Sequence, residues 1–171
     1  NVPVPGFHGT NQSMTVTGLT PGTRYYFAIK LYDECSNASP ISNVASAVTQ
    51  TDTVPPSRIT NLSVAISLSD SVQLSWTAPA ETTWNGTTQA AASYEIRYST
   101  QPINNSNWSS ATVVTAQLPP QPAAPGNAQT TWVRGLAAGT TYYFAIRSRD
   151  VVGNLSDTSN SPSRTTAPQG T

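Results

Sequence analysis

The sequence predicts an all-β chain, a two-sheet antiparallel β-sandwich present as one complete copy and the C-terminal half of a preceding copy. Three observations lead to this prediction. Short segments with an apolar residue at every second position recur along the chain, and turn residues such as Gly, Pro and Asn separate them. No helical period of any length appears. A stretch near the N-terminus also returns close to the C-terminus.

The repeat is a tandem duplication with a constant offset of 117 positions. The string GTRYYFAIK returns as GTTYYFAIR, and Tyr25 aligns with Tyr142 without a gap. Downstream, the same offset aligns Asp33 with Asp150. Identity over such a length indicates two copies of one structural unit rather than a chance match.

The first copy is incomplete, because Asn1 aligns with Leu118, a position deep inside the second copy. A Pro-Pro pair between the copies is typical of a short, stiff, extended linker. The predicted organisation is a C-terminal half domain at 1–50, a Pro-containing linker at 51–58, a complete domain at 59–167 and the start of a further linker or tail at 168–171.

Seven strands are predicted in the complete copy, in the segments ITNLSVAI, SVQLSWTA, SYEIRYST, WSSATVVTA, TTWVRGL, TYYFAIRSR and SNSPSRTT. Strict alternation places Val72, Leu74 and Trp76 on one face of the second strand. In the sixth strand, alternation turns Phe144 inward and Ala145 outward. The last segment is polar and contains a proline, which is typical of an edge strand. The stretch from Ala80 to Ala92 is predicted as a loop.

The predicted core follows from this alternation. Burial of each large inward side chain stabilises such a domain by about 1.5–3 kcal/mol. In the complete copy the predicted core residues are Trp76, Tyr94, Ile96, Leu136, Tyr142, Phe144 and Ile146, and in the first copy they are Leu19, Tyr25, Phe27 and Ile29.

These motifs resemble a fibronectin type III domain. The resemblance rests on Trp76 in the second strand, Tyr94 and Ile96 in the third, and the motif G-L-x-x-G-T-x-Y-x-F that begins at Gly135. The sequence of these segments is similar to that of tandem type III domains of large bacterial secreted and cell-surface proteins. The resemblance implies an immunoglobulin-like sandwich with a tyrosine corner, in which the Tyr142 hydroxyl bonds the main chain just upstream.

The sequence contains no constellation of residues that predicts an enzyme. His8 is the only histidine and Cys35 the only cysteine, so neither a zinc site nor a Ser-His-Asp arrangement is indicated. Asp150 and its counterpart Asp33 predict a structural role at the exit of a strand, where a short carboxylate bonds turn N–H groups. A calcium ligand is the alternative for Asp150, but the carboxylates are scattered. No catalytic, cofactor or metal residue is therefore predicted.

The charge balance excludes further classes of function. Charged residues make up 9% of the chain, with eight basic and eight acidic residues, so the cationic footprint that nucleic acid requires is missing. No apolar run approaches the roughly 18 residues of a membrane helix, so this segment is not expected to insert into a membrane.

The predicted function is that of a non-catalytic structural spacer in a repeat-containing extracellular or cell-surface protein, which the resemblance implies to be bacterial. Its expected partners are neighbouring domains of the same longer chain, with other surface proteins or glycans as further candidates. One alternative is an adhesive module that binds glycan or protein through the loop aromatics Trp84 and Trp108. The competing expectation for these rings is that they fold over the end of the sandwich as a lid on the core. Another alternative function is an accessory segment of a secreted hydrolase. The strands missing from the half domain would come from upstream residues or from a neighbouring chain.

Overall fold

The computed structural model describes residues 4, 6–83 and 85–170 of the chain. It divides into two compact units, Asn1–Thr51 and Asp52–Thr171, which are called unit 1 and unit 2. In chain order, the strands of the described residues are β1 (Arg24–Phe27), β2 (Ala45–Val48), β3 (Ser63–Ser67), β4 (Ser71–Thr77), β5 (Ala80–Thr82), β6 (Thr88–Ala90), β7 (Ser93–Ser99), β8 (Thr112–Val113), β9 (Ala128–Arg134), β10 (Thr141–Arg149) and β11 (Ser163–Thr165).

Unit 1 contains one two-stranded antiparallel sheet among its described residues, formed by β1 and β2. No second sheet is described in this unit, so no described strand of unit 1 covers the face that alternation turns inward. Leu19, Tyr25 and Phe27 are therefore only partly buried. Ile29, predicted as a core residue, is 62% exposed, which contradicts that prediction.

Unit 2 is an antiparallel sandwich of two sheets. One sheet has the strand order β3-β4-β9 and the other has the order β11-β10-β7-β8. The register pairs Val72 of β4 with Val133 of β9, and Ile146 of β10 with Ile96 of β7. All pairs are antiparallel, as the turn-rich, alternating sequence predicts, so the all-β sandwich is confirmed.

The core of unit 2 lies between the two sheets. Trp76 meets Tyr94 edge to face, with ring centroids 5.3 Å apart. Phe144, at the middle of β10, is completely buried, and Tyr142 packs against the core from its edge. The buried members of this cluster are Ile59, Leu62, Val72, Leu74, Trp76, Tyr94, Ile96, Val114, Val133, Leu136, Phe144 and Ile146.

The first strand of unit 2 begins later than the sequence predicts, because a side chain replaces the ladder near its start. The Asn160 amide accepts a hydrogen bond from Leu62 N (2.9 Å) and donates one to Leu62 O (2.8 Å). Asn61 similarly bonds Thr77 with its side chain. β3 therefore begins at Ser63, whereas alternation predicts a strand from Ile59.

Two other segments also differ from the prediction. The stretch Ala80–Ala92, predicted as a loop, contains the β5–β6 hairpin, with Ala80 opposite Ala90. The predicted fourth strand is mainly a short 3₁₀ helix at Trp108–Ser110 followed by the two-residue strand β8. Asn104 accounts for this change, since its side chain accepts N–H bonds from Ser106 and Asn107 and starts a turn.

Candidate functional site

The tyrosine corner is the first candidate site, and its function is structural. In unit 2 the Ala137 N–H donates to Tyr142 Oη at 3.2 Å. In unit 1 the Thr20 N–H donates to Tyr25 Oη at 3.0 Å. The pKa of Tyr25 is lowered, first by the Thr20 side chain and then by this N–H bond. Gly135 has φ of 79°, a conformation that glycine adopts without strain, and it lets the chain turn into the corner.

A threonine clamp closes each corner. Thr166 Oγ1 donates to Ala137 O (2.6 Å) and accepts from Thr140 N (3.0 Å). Thr49 in unit 1 makes the equivalent bonds to Thr20 O and Thr23 N at the same two distances. Inspection of single motifs misses this role, although the 117-position offset aligns the two threonines.

Asp33 and Asp150 follow the strand that contains the corner tyrosine, and each aspartate organises the loop after it. In unit 2, Asp150 Oδ1 accepts main-chain N–H bonds from Val152, Gly153 and Asn154 at 2.6–2.9 Å. The Asn154 side chain donates to Asp150 Oδ2 at 2.7 Å. Asp33 of unit 1 accepts N–H bonds from Cys35 and Asn37 and bonds the Asn37 side chain. The Asn37 side-chain amide is the main cause that lowers the pKa of Asp33.

Trp108, the second aromatic candidate for ligand contact, is 6% exposed, which contradicts an exposed loop aromatic. Its ring packs with Ile103, Ala111 and Ala145 in a small second cluster. The outward face of β10 is therefore covered, and Ala145 is completely buried there.

Two arginines hold Trp108 in place. The guanidinium carbons of Arg97 and Arg147 lie 5.1 Å and 4.6 Å from its ring centroid. Arg97 also donates to the carbonyls of Trp108, Ser109 and Ala111 and forms an ion pair with Glu95. Trp84, the other aromatic candidate, lies outside the described residues.

A cluster of three carboxylates is the other candidate site, and sequence spacing did not indicate it. Asp52, Glu81 and Asp150 each present an oxygen within 4.8 Å of the other two, and all three residues are buried. They come from the first residue of unit 2, from β5 and from the residue after β10. Within the part of the chain that the structure describes, this is the one group of three side chains able to hold a metal ion.

Glu81 is the central member of the cluster. It is 1% exposed, and neither carboxylate oxygen accepts a hydrogen bond from any described residue. Burial is the main cause that raises the pKa of Glu81, and the negative charges of Asp150 and Asp52 raise it further. The cluster can therefore take up a proton or a cation.

Asn154 connects the other two members of this cluster. Its Nδ2 donates to Asp52 O at 3.0 Å as well as to Asp150 Oδ2. Nearby, Ser57 N–H donates to Ala80 O at 2.8 Å. Part of the segment predicted as a linker is thereby fixed to unit 2.

Comparisons with known proteins agree with this geometry. The family model described as fibronectin type III domain matches residues 55–165. Chitinase A1 of Niallia circulans is 33% identical over 166 residues, which are 95% of this chain and 20% of that enzyme. Exoglucanase B of Cellulomonas fimi is 31% identical over 160 residues, 92% of this chain and 12% of that enzyme.

The chain thus spans a fifth or less of the length of these two enzymes. Among solved structures, a crystal structure of domains from titin is 19% identical, with a TM-score of 0.49 over 74% of this chain and 37% of that one. Among the described residues of this chain, no helix has the length and apolarity needed to cross a membrane.

Proposed function

This chain belongs to the fibronectin type III family, and on that premise we propose that it is a non-catalytic structural segment of a longer, repeat-containing extracellular protein of bacterial origin. Its domains act as spacers between neighbouring domains of the same chain. They are held by packing and by a polar hydrogen-bonded frame without disulfides, since Cys35 is the only cysteine.

The observation that supports this proposal is that the residues conserved between the two copies are structural ones. The tyrosine of the corner, the threonine of the clamp and the aspartate of the loop each occur twice, 117 positions apart. All of them bond main-chain groups of their own unit. A duplicated catalytic or binding site would instead repeat residues that line a cleft.

The absence of a catalytic constellation is the second support. His8, the only histidine, lies in the half domain, and unit 2 has none. The Asp150 carboxylate is occupied by loop N–H groups rather than directed at a nucleophile. We therefore expect the chain alone to hydrolyse neither chitin nor cellulose derivatives, as measured by release of reducing ends.

The proposed organisation of the chain is a half domain at 1–50 followed by a Pro-containing linker at 51–58, a complete domain at 59–167 and a further linker or tail at 168–171. In this proposal, strands preceding Asn1 in the natural protein complete the first domain. Strands donated by a neighbouring chain are the alternative. The intact mass of the natural protein distinguishes them, because a mass near 18.0 kDa leaves no room for preceding strands.

The spacer function is tested in the natural full-length protein by deleting residues 52–167. Small-angle X-ray scattering is expected to report a maximum dimension shorter by ~30 Å, about the diameter of a domain of this size. Any enzymatic activity of the parent protein on soluble substrate is expected to stay unchanged. An unchanged maximum dimension, or a lost soluble activity, contradicts a spacer.

A second candidate function is an accessory segment of a polysaccharide hydrolase, and the similarity to a chitinase and an exoglucanase favours it. In this case the same deletion lowers activity on insoluble polysaccharide while sparing soluble substrate. A glycan or protein contact through Trp84 is a further possibility within this function. Titration of chitin or cellulose oligomers into wild type and Trp84→Ala tests it, and equal binding or none in both variants rejects it.

A further inference from the structure

The three buried carboxylates of unit 2 come from segments that are far apart in sequence. Asp52 begins the unit, Glu81 lies in β5, and Asp150 follows β10. One carboxylate oxygen of each lies within 4.8 Å of the other two. The described residues contain one ion pair, between Arg97 and Glu95, so no described cation neutralises this cluster.

Glu81 is the observation that points to a ligand. Its side chain is 1% exposed, and both oxygens are without a partner among the described residues. A buried, ionised carboxylate is unfavourable unless it is paired with a charge or coordinates a metal. Hydrogen bonds inside the cluster do not relieve this, because Asp52 and Asp150 offer further negative charges rather than donors.

The other two carboxylates are already oriented. Asp52 Oδ1 accepts a hydrogen bond from Val54 N at 3.0 Å. Asp150 is held by three main-chain N–H groups and by Asn154, which also donates to Asp52 O. Such surrounding donors fix the direction of ligating carboxylates and are typical of built metal sites.

We propose that Asp52, Glu81 and Asp150 form a Ca²⁺ site. Ca²⁺ binds oxygen ligands at about 2.3–2.6 Å, so two oxygens on opposite sides of one ion are about 4.8 Å apart. The three carboxylate oxygens satisfy that limit without movement. An all-oxygen set disfavours Zn²⁺, which prefers nitrogen and sulfur ligands. Glu81, with both oxygens unoccupied, can bind the ion with two atoms, and water supplies the remaining ligands.

The site fastens the chain at the place where unit 2 begins. Asp52 directly follows the last residue of unit 1 in sequence. A bound ion joins this residue to β5 and to the loop after β10, beyond the hydrogen bonds that Ser57 and Asn154 already make. The segment 52–58 is therefore expected to become more resistant to proteolysis when Ca²⁺ binds. This inference does not depend on the spacer function.

Isothermal titration calorimetry with CaCl₂ tests the proposal on the whole chain after removal of metal with EDTA. We expect one Ca²⁺ per chain, and at least a tenfold weaker affinity in Glu81→Gln, which keeps the shape of the side chain and removes its charge. Asp33→Asn is the matched control, because Asp33 makes the same loop bonds without a buried glutamate. It is expected to bind Ca²⁺ as wild type does.

Cleavage by trypsin after Arg58, an exposed residue of the same segment, supplies a second readout. Ca²⁺ is expected to slow this cleavage in wild type and to leave it unchanged in Glu81→Gln. No heat and no protection at millimolar Ca²⁺ overturn the proposal, as does equal Ca²⁺ binding in Glu81→Gln. Equal affinity for Mg²⁺ overturns the assignment to Ca²⁺.

Discussion

Units 1 and 2 carry the same hydrogen-bonded corner but differ in packing. The bond from main-chain N–H to the tyrosine oxygen is 3.0 Å long in unit 1 and 3.2 Å in unit 2. Phe144 and Ile146 are completely buried in unit 2, whereas their counterparts differ: Phe27 is partly buried and Ile29 is 62% exposed. The difference follows from the opposing sheet, which unit 2 has and the described part of unit 1 lacks.

This contrast separates what local sequence encodes from what the whole domain supplies. A turn glycine, a tyrosine and a threonine within about 30 positions of each other are enough to bond their own main chain in either unit. Burial needs side chains from strands 50 to 80 positions away, such as Leu74 on β4 facing β10. We therefore expect core packing to supply most of the free energy of unfolding. The hydrogen bonds of the corner tyrosine, the clamp threonine and the loop aspartate are expected mainly to fix the local conformation of the main chain.

The largest expected difference between the units comes from truncating the aromatic residue of the corner strand. Phe144→Ala leaves a cavity in a closed core and is expected to destabilise unit 2 by about 3–5 kcal/mol. Phe27→Ala removes a partly exposed ring and is expected to change the stability of unit 1 by less than about 1 kcal/mol. Urea unfolding followed by amide NMR signals of each unit measures both. Equal losses would contradict the contrast in packing.

A smaller difference between the units is expected at the asparagine that follows Ser159 in unit 2 and Ser42 in unit 1. Asn160 bonds Leu62 N and O, so Asn160→Ala leaves both groups without that partner and destabilises unit 2 by about 1–3 kcal/mol. Asn43 is its counterpart at the 117-position offset, and its side chain has no partner among the described residues. Asn43→Ala is therefore expected to have an effect near zero in the same urea experiment. A loss in unit 1 as large as that in unit 2 would reveal an unrecognised partner of Asn43.

The corner hydroxyls should matter less still. Tyr142→Phe removes the acceptor of the Ala137 N–H and is expected to destabilise unit 2 by about 1 kcal/mol. Tyr25→Phe is expected to destabilise unit 1 by no more than that, because both corner bonds lie at exposed positions where water replaces them and the described part of unit 1 has no facing sheet. Thermal unfolding by calorimetry compares the two variants. A larger effect for Tyr25 than for Tyr142 would mean that the frame, rather than packing, stabilises unit 1.

A pH dependence of opposite sign is expected for one carboxyl in each unit. The pKa of Glu81 is raised, so the folded state without metal holds its proton more tightly than the unfolded state does. This contribution is present below the ordinary glutamate pKa of about 4.3 and is lost as pH rises through the folded value. The pKa of Asp33 is lowered, so its contribution is present above the ordinary aspartate value and is lost as pH falls.

Urea unfolding between pH 4 and 7 in EDTA, compared between wild type and Glu81→Gln, isolates the glutamate. We expect the stability of wild type to fall relative to Glu81→Gln as pH rises. Added Ca²⁺ should reverse the trend, because the ion binds the ionised carboxylate. A difference that does not vary with pH in EDTA would show that Glu81 has an ordinary pKa.

The sequence predicted the parts of the fold that depend on short patterns. Alternation correctly placed Val72, Leu74 and Trp76 on the buried face of β4, and the family resemblance is confirmed. The predicted strands were too long near Leu62, where the Asn160 side chain replaces ladder bonds, and near Trp108, where the Asn104 side chain starts a turn. The β5–β6 hairpin was missed because its three-residue strands carry no alternating apolar residues.

The candidate sites were harder to predict. Trp108 was a candidate for ligand contact only in the alternative function, beside the expectation that it covers the end of the sandwich. In the structure, Arg97 and Arg147 from two strands hold it against β10. The cluster of Asp52, Glu81 and Asp150 joins residues that are 29 and 69 positions apart, a spacing that no local motif encodes. Only the three-dimensional fold brings them together.

Native-state hydrogen exchange of the whole chain, read residue by residue, tests most directly the claim that the two units share a frame and differ in packing. The account predicts that amides of β10 exchange only through global unfolding of unit 2, with protection equal to its unfolding free energy. Amides of β1 that bond β2 are predicted to exchange many times faster than amides of β10 that bond β11, despite the equivalent ladder and the same corner bond. Equal protection of β1 and β10 would contradict the account, since the corner frame would then confer stability without a facing sheet.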